Sequence, residues 1–269
     1  MIRNRVVLLL EIFLVIGCGQ NNKEHALEVT YIANEGFMIA MGSTNVLIDA
    51  LPASKYYVNP SDTLAARMMN GIPPFDKVDY FLVTHDHADH FNAEMMCRFL
   101  LNHPAVQLIA GSETCSKLTG DSIADRRRSA VELQMGQHVT IRGEKAEIMA
   151  VRLGHGGGPN INNLAYFVRS NGYSILHVGD AKLSDNEEYL RTIDWSSYTV
   201  DLLFVEYFDQ SSQSREIIEN MIKPKHVILM HIPAGEETSV AKLHPRTVVF
   251  GKENETRRFD NLVEDGLSH

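Results

Sequence analysis

A short run, Val78 to Val83, apolar apart from Asp79, leads without a spacer into Thr84-His85-Asp86-His87-Ala88-Asp89-His90. The run has the length and composition of a buried strand. The segment after it places three histidines and two aspartates within six positions. Side chains two apart on extended backbone share a side, so His85 and His87 can grip one ion together. Asp89 and His90 come as the chain turns towards the next helix and can face a neighbouring ion. Packing does not account for this density of imidazole and carboxylate, whereas metal binding does.

Four donors are too few for a complete two-metal site, so the remaining ligands have to come from distant parts of the chain. His155 stands in Leu153-Gly154-His155-Gly156-Gly157-Gly158, Asp180 follows a strand in Val178-Gly179-Asp180, and His231 ends the run Val227 to Met230. Each is at or just beyond a β-like run, where one rim of loops would gather them. Gly156-Gly157-Gly158-Pro159 reads equally as a close backbone approach to a substrate or as a plain turn. Asn160, Asn163, His177, Glu206 and Tyr207 read as strand-end or turn polarity, with pocket lining as the alternative.

The rest of the chain sets the frame. Short β-like runs come first (Leu27 to Ile32, Phe37 to Met41, Val46 to Ile48), and a helix is expected over Asp62 to Met69. Asn92 is placed to cap a helix reaching about Leu101. Strands follow over Val131 to Val151 with a turn at Gly143, and Asn171-Gly172 marks a hairpin. A helix is expected over Arg215 to Met221, stopped before Pro224, and a last strand over Val248 to Phe250. The order strands, helices, strands, helices favours two packed sheets with helices outside. Cys97 and Cys115 read as two buried thiols, with a single disulfide as the alternative. With 269 residues and a net charge of -9, the chain is long enough to bury a core without staples and too acidic for non-specific nucleic-acid binding.

The N-terminus reads as a targeting segment. Met1 to Arg5 carries two arginines, and Val6 to Ile16 is apolar apart from Glu11. Val15-Ile16-Gly17-Cys18 resembles a bacterial lipoprotein box, which implies that Cys18 is lipidated and becomes the mature N-terminus. Residues 1–17 are then the signal peptide and 18–27 a tether. The protein is expected to be exported and held at the membrane of the bacterial cell envelope. An ordinary signal peptide or an uncleaved anchor are the alternatives.

In its ordered motifs the chain resembles the metallo-β-lactamase superfamily over residues 28–251, leaving 252–269 as a polar tail. The matching positions are Asp49 after an early strand, His85 to His90, His155, Asp180 and His231. That resemblance implies an α/β (α+β) fold, a four-layer αββα sandwich of two mixed β-sheets with outer helices. It assigns His85, His87 and His155 to a first divalent ion and Asp89, His90 and His231 to a second. Asp180 would bridge them, and Asp49 would orient a ligand histidine from behind. Asp89 and Asp180 are the expected catalytic carboxylates, and zinc is the expected metal, with manganese or iron also fitting.

Phe37 to Asp49, Asn163-Leu164-Ala165-Tyr166 and Ile175 to Asp180 look like the lactonase and phosphodiesterase-like branch. That branch includes proteins similar to ascorbate-6-phosphate lactonase and N-acyl-phosphatidylethanolamine phospholipase D. The implied activity is hydrolysis of an ester, lactone or phosphodiester bond in a small-molecule substrate by a hydroxide activated between two metals. A redox-active or non-enzymatic metal-binding surface protein on the same fold is the alternative. Antibiotic-degrading members typically have cysteine where Asp180 stands. Members that cut nucleic acids carry a large inserted domain for which this chain has no room.

Overall fold

The computed structural model describes residues 26–119 and 128–259. The signal reading over 1–17 and most of the tether lie outside the described residues. Leu27, counted with the tether, already opens the first strand.

Strands β1 (Leu27–Ala33), β2 (Gly36–Met41), β3 (Thr44–Ile48), β4 (Tyr80–Val83), β5 (Gln107–Gly111) and β6 (Arg128–Val131) belong to one sheet. With β14 (Thr256–Arg258) they run in the order β14-β1-β2-β3-β4-β5-β6. The second sheet holds β7 (His138–Arg142), β8 (Glu147–His155), β9 (Gly158–Ser170), β10 (Tyr173–His177), β11 (Leu202–Glu206), β12 (His226–Met230) and β13 (Val248–Val249). Its order is β13-β12-β11-β10-β9-β8-β7. Both sheets are mixed. In the first, β14 to β3 pair antiparallel and β3 to β6 parallel; in the second, β7 to β10 pair antiparallel and β10 to β13 parallel.

Alternation along each strand explains the layering. Tyr80 and Leu82 of β4 point into the core between the sheets, with Phe37 and Ile39 of β2 and Tyr166 and Val168 of β9. Phe81 and Val83 point the other way and pack with Met68 of α1 (Asp62–Met69) and with Met96 and Phe99 of α2 (Ala93–Asn102). A strand buried on both faces reads as the continuous apolar run seen at Tyr80 to Val83. On the far side, Ile217, Ile222 and Val240 cover the second sheet. The architecture is the expected sandwich of helices, sheet, sheet and helices.

Local chemistry sets the element ends. Asn92 Oδ1 accepts from Met95 N at 2.9 Å and starts α2. Asn171 and Gly172 carry positive φ values, 51° and 81°, in the β9–β10 hairpin. The helix expected from Arg215 begins earlier, at α5 (Ser212–Glu216) after α3 (Ser112–Ser116) and α4 (Glu187–Leu190), because Ser211 Oγ accepts from Ser214 N at 3.0 Å. It continues as a π-helix to Ile222, and Lys223 leaves it at φ 52°. Cys97 and Cys115 are free thiols, and Cys97 is only half-buried.

The polar stretch expected as a tail from 252 is partly structural. Thr256 to Arg258 pair with Glu28 to Thr30 and cover the edge of β1, and Glu253 accepts from Ser61 N at 2.9 Å and from Ser61 Oγ at 2.6 Å. An uncovered β1 would present unpaired backbone groups to other chains. Its cover faces solvent and so carries no apolar signature, which is why the sequence reading ended the domain at 251.

Candidate metal centre

One end of the sandwich collects every residue of the expected set. From the first sheet come Asp49, just past β3, and the Thr84 to His90 loop, just past β4. From the second come His155 at the end of β8, Asp180 beyond β10 and His231 beyond β12. The loop after β4 closes on itself, since His90 N and Phe91 N both donate to His87 O at 3.0 and 2.9 Å.

Two donor sets share Asp180. One atom from each of His85, His87, His155 and Asp180 lies within 4.8 Å of all the others. Asp180 Oδ2 is 3.2 Å from His155 Nε2 and 3.9 Å from His85 Nε2. A second set joins Asp180 with His90 and His231, and also with Glu35, which the sequence reading did not select. Asp180 Oδ1 is 3.0 Å from His90 Nε2. Asp89 belongs to this side: its Oδ2 is 3.2 Å from His231 Nε2 and 3.9 Å from His90 Nε2. The first set joins the residues expected around one ion; the second joins His90, His231 and Asp180 with Glu35, and Asp89 adjoins it through His231.

Behind the histidines lies a chain of hydrogen bonds. Asp49 Oδ1 accepts from Thr84 N at 2.8 Å, and its Oδ2 accepts from Thr84 Oγ1 at 2.6 Å and from His90 Nδ1 at 2.9 Å. Thr84 Oγ1, having given its proton to Asp49, can only accept at His85 Nδ1, 3.1 Å away. Both rings therefore carry a proton on Nδ1 and turn Nε2 inwards, the arrangement a ligating imidazole needs. His155 is held differently. Gly157 N donates to its Nδ1 at 2.6 Å, which puts the neutral ring's proton on Nε2. Coordination through Nε2 requires that proton to move to Nδ1 and the Gly157 N–H to turn away.

Backbone strain concentrates here as well. Asp49 and His231, neither of them glycine, sit at φ 46° and 60°. Gly179, before Asp180, sits at φ 57°, and a Cβ there would come within 2.3 Å of Asn163 Oδ1. Asn163 uses the space that glycine leaves: its Oδ1 accepts from Asp180 N at 3.2 Å and its Nδ2 donates to Val178 O at 3.0 Å. The residue thus positions the Asp180 loop rather than lining the pocket.

The electrostatics of the chain itself suit cations. Burial and the neighbouring His90 push His85 well below the ordinary imidazole value, and burial and His155 lower His87, so both are neutral. Burial pushes Asp180 up, but His90 and His155 overcome it and hold the carboxyl well below the usual range. Burial also disfavours a charged His90, yet Asp180 and Glu35 outweigh it and raise that imidazole well above its usual value. Surroundings that hold a proton so firmly also favour a dication in its place, with release of the proton. His85 Nε2, His90 Nε2, His155 Nε2 and Asp180 Oδ1 are all buried without a hydrogen-bond partner. Convergent bare donors of this kind are costly unless an ion completes them, so the residues present fit divalent metals.

The centre floors a cavity of about 420 Å³. Tyr57, whose ring lies 4.3 Å from that of His231, Phe208 and Lys182 form its walls with Glu206. Burial, with Asp180 and Asp209 nearby, raises Glu206 to about 9. Glu35 and Glu206 left different traces in the sequence. Glu35 is the one charged residue in the hairpin Ile32 to Ile39, which is a usable signal. Glu206 ends a buried strand as many surface residues do. His177 is fully engaged, accepting from Gly179 N at Nδ1 and reaching Glu35 O through Nε2 at 3.1 Å.

The model of the Beta-lactamase superfamily domain matches residues 44–250. The chain belongs to the metallo-β-lactamase superfamily. Among relatives in this superfamily, a metal-dependent hydrolase of Thermodesulfovibrio yellowstonii is 23% identical over 223 residues, 77% of this chain and 78% of that protein. The metallo-β-lactamase fold protein YhfI from Bacillus subtilis superposes with a TM-score of 0.58 at 17% identity, covering 87% of this chain and 100% of that one. CmlA, a diiron β-hydroxylase from Streptomyces venezuelae, gives a TM-score of 0.58 at 17% identity, covering 88% of this chain and 54% of that one. These structural likenesses establish the fold.

Proposed function

We propose that this protein is a dinuclear metallohydrolase acting on an ester, lactone or phosphodiester that carries negative charge. The observation that supports it is Asp180, which two donor sets share at the floor of an open pocket: its Oδ1 faces His90, and its Oδ2 faces His155 and His85 of one set and His231 of the other. His85, His87 and His155 would hold one ion, Asp89, His90 and His231 the other, and Asp180 both. Zinc fits such donors, as do manganese and iron. Two bound dications supply a water of lowered pKa and polarise the oxygen of the scissile group.

The chain's own residues account for the remaining work. Asp89 Oδ2 and His231 Nε2 lie 3.2 Å apart and reach the same point, where an ion would take the place of the proton they share. Asp49 and Thr84 fix the rings of His90 and His85, so these two donors need little reorganisation. Tyr57 and Phe208 give the pocket apolar walls that help exclude water. Lys182 lies 5.8 Å from the Phe208 ring at Nζ and has no carboxylate within salt-bridge distance among the described residues. It is therefore free to bind an anionic group of the substrate. The test is metal analysis of the purified protein together with matched anionic and neutral phosphodiester, lactone and ester substrates. The expected result is close to two transition-metal ions per chain and preferential turnover of anionic substrates. Two bound ions with no turnover across the panel would favour the non-enzymatic alternative, and failure to take up zinc, manganese or iron would end the metal assignment.

We further propose that Cys18 carries a lipid and holds the domain at the cell envelope, on the strength of Val15-Ile16-Gly17-Cys18. Among the described residues no helix is long and apolar enough to cross a membrane. Cys18→Ala is expected to release the protein from the membrane fraction or to block maturation. Equal membrane association of both forms rules the lipid anchor out.

A further inference from the structure

Glu35 occupies the turn between β1 and β2, beside Asn34 at φ 47°. It is completely buried, at 0% exposure, and neither of its carboxylate oxygens has a hydrogen-bond partner. A carboxylate in that position is expensive unless a proton or a cation meets it. The turn is tied down on three sides and cannot simply withdraw to water. Asn34 Nδ2 donates to Asp89 O at 3.3 Å, and His177 Nε2 is 3.1 Å from Glu35 O. A Cβ on Gly36 would come within 2.7 Å of Asp49 O, so the backbone lies directly on the Asp49 segment.

The surroundings narrow what can meet the carboxylate. Asp49 and His177 are close to it, but Asp49 is spent on Thr84 and His90, and His177 on Gly179 N and the Glu35 carbonyl. Glu35 Oε2 is 3.8 Å from His90 Nδ1, whose proton already goes to Asp49. What remains is the group with bare atoms. A Glu35 oxygen lies within 4.8 Å of donor atoms of His90, Asp180 and His231 together. His90 Nε2 and Asp180 Oδ1 are themselves buried without partners.

We infer that Glu35 is an additional ligand of the second ion, supplied by the Asn34-Glu35-Gly36 turn and lying outside the His-x-His-x-Asp-His pattern. The inference rests on the metal centre proposed above and is independent of any hydrolytic activity. A third carboxylate beside Asp89 and Asp180 would lower the net positive charge of the two-ion centre as a whole. It also makes the second position richer in oxygen than the first, which has three imidazoles, and so tilts it towards manganese or iron.

The test is binding, not turnover. Protein stripped with a chelator is titrated calorimetrically with Mn²⁺ and, separately, with Co²⁺ while its visible spectrum is recorded, for wild type, Glu35→Gln and Glu35→Asp. Glu35→Gln is expected to leave the first binding step within about two-fold and to weaken the second by about 10-fold or more, taking the loss of even an outer partner as the lower bound. Its second-step Co²⁺ spectrum should change, and Glu35→Asp should recover part of the affinity. A measurement on the unaltered sequence covers the case in which the variants do not fold. With glutamate carboxyls labelled by ¹³C, the infrared difference on loading the second ion should show a shifted glutamate band that persists in Glu206→Gln; the aspartate ligands are silent. Two ions bound as tightly by Glu35→Gln, with an unchanged spectrum and no glutamate band, overturn the assignment alone. Wild type that takes up no second ion overturns the metal centre with it.

Discussion

The deep wall and the rim of the centre are built on different principles. At the deep wall, Asp49, Thr84, His85 and His90 are all buried and joined by one continuous run of hydrogen bonds. At the rim, His87 and His155 are only partly buried, and His155 meets a backbone N–H in a glycine-rich loop that has to turn away before an ion can be held. The deep rings are set without an ion, whereas the rim would have to be set by one. A site of this kind separates holding metal, which needs stiffness, from admitting substrate, which needs give.

The comparison can be broken most directly at Asp180, which belongs to both halves. Asp180→Ala should reduce metal content in both positions and cost on the order of 100-fold or more in rate, since misplacement of about 1 Å suffices for that. Elemental analysis and kinetics on the best substrate of the panel check it, and full metal content with full activity would refute the shared role. A smaller effect contrasts the halves themselves. Asp49→Ala should cost about 10–100-fold in metal affinity or activity. It should also destabilise the metal-free fold, because each buried group left unpaired at Thr84 and His90 costs about 1–3 kcal/mol. His87→Ala should weaken only the first ion and move metal-free stability by no more than about 0.5 kcal/mol. Denaturant unfolding of the two metal-free variants beside wild type separates them. Equal destabilisation would remove the distinction between wall and rim.

The same contrast explains what could be read from the sequence. The histidine cluster and the strand before it were legible because a strand buried on both faces and a dense ligand run are both local patterns. His155, Asp180 and His231 were legible only as strand-end residues ordered like those of a known family. The Asn34 to Gly36 turn was not read, because its relation to Asp89, Asp49 and His177 spans 13 to 142 residues and leaves no periodicity. Strand β14 escaped for a related reason: Thr256 to Arg258 gain their place from β1 and not from their own composition. Lys182 and Phe208 acquire meaning only when the β10 and β11 loops meet at the pocket.

Each donor set draws on both sheets. His85 and His87 come from the first sheet and His155 and Asp180 from the second; Asp89 and His90 come from the first and His231 and Asp180 from the second. On the reading proposed here, the ions are therefore rivets through the sandwich as well as reagents in its pocket. Sliding or parting the sheets at that end would have to strip both ions, so part of the binding free energy of the metals becomes cohesion between the layers. Chelation would then act on the mechanical integrity of the whole domain, and the supply of metal in the surroundings would set how tightly its two halves are clamped.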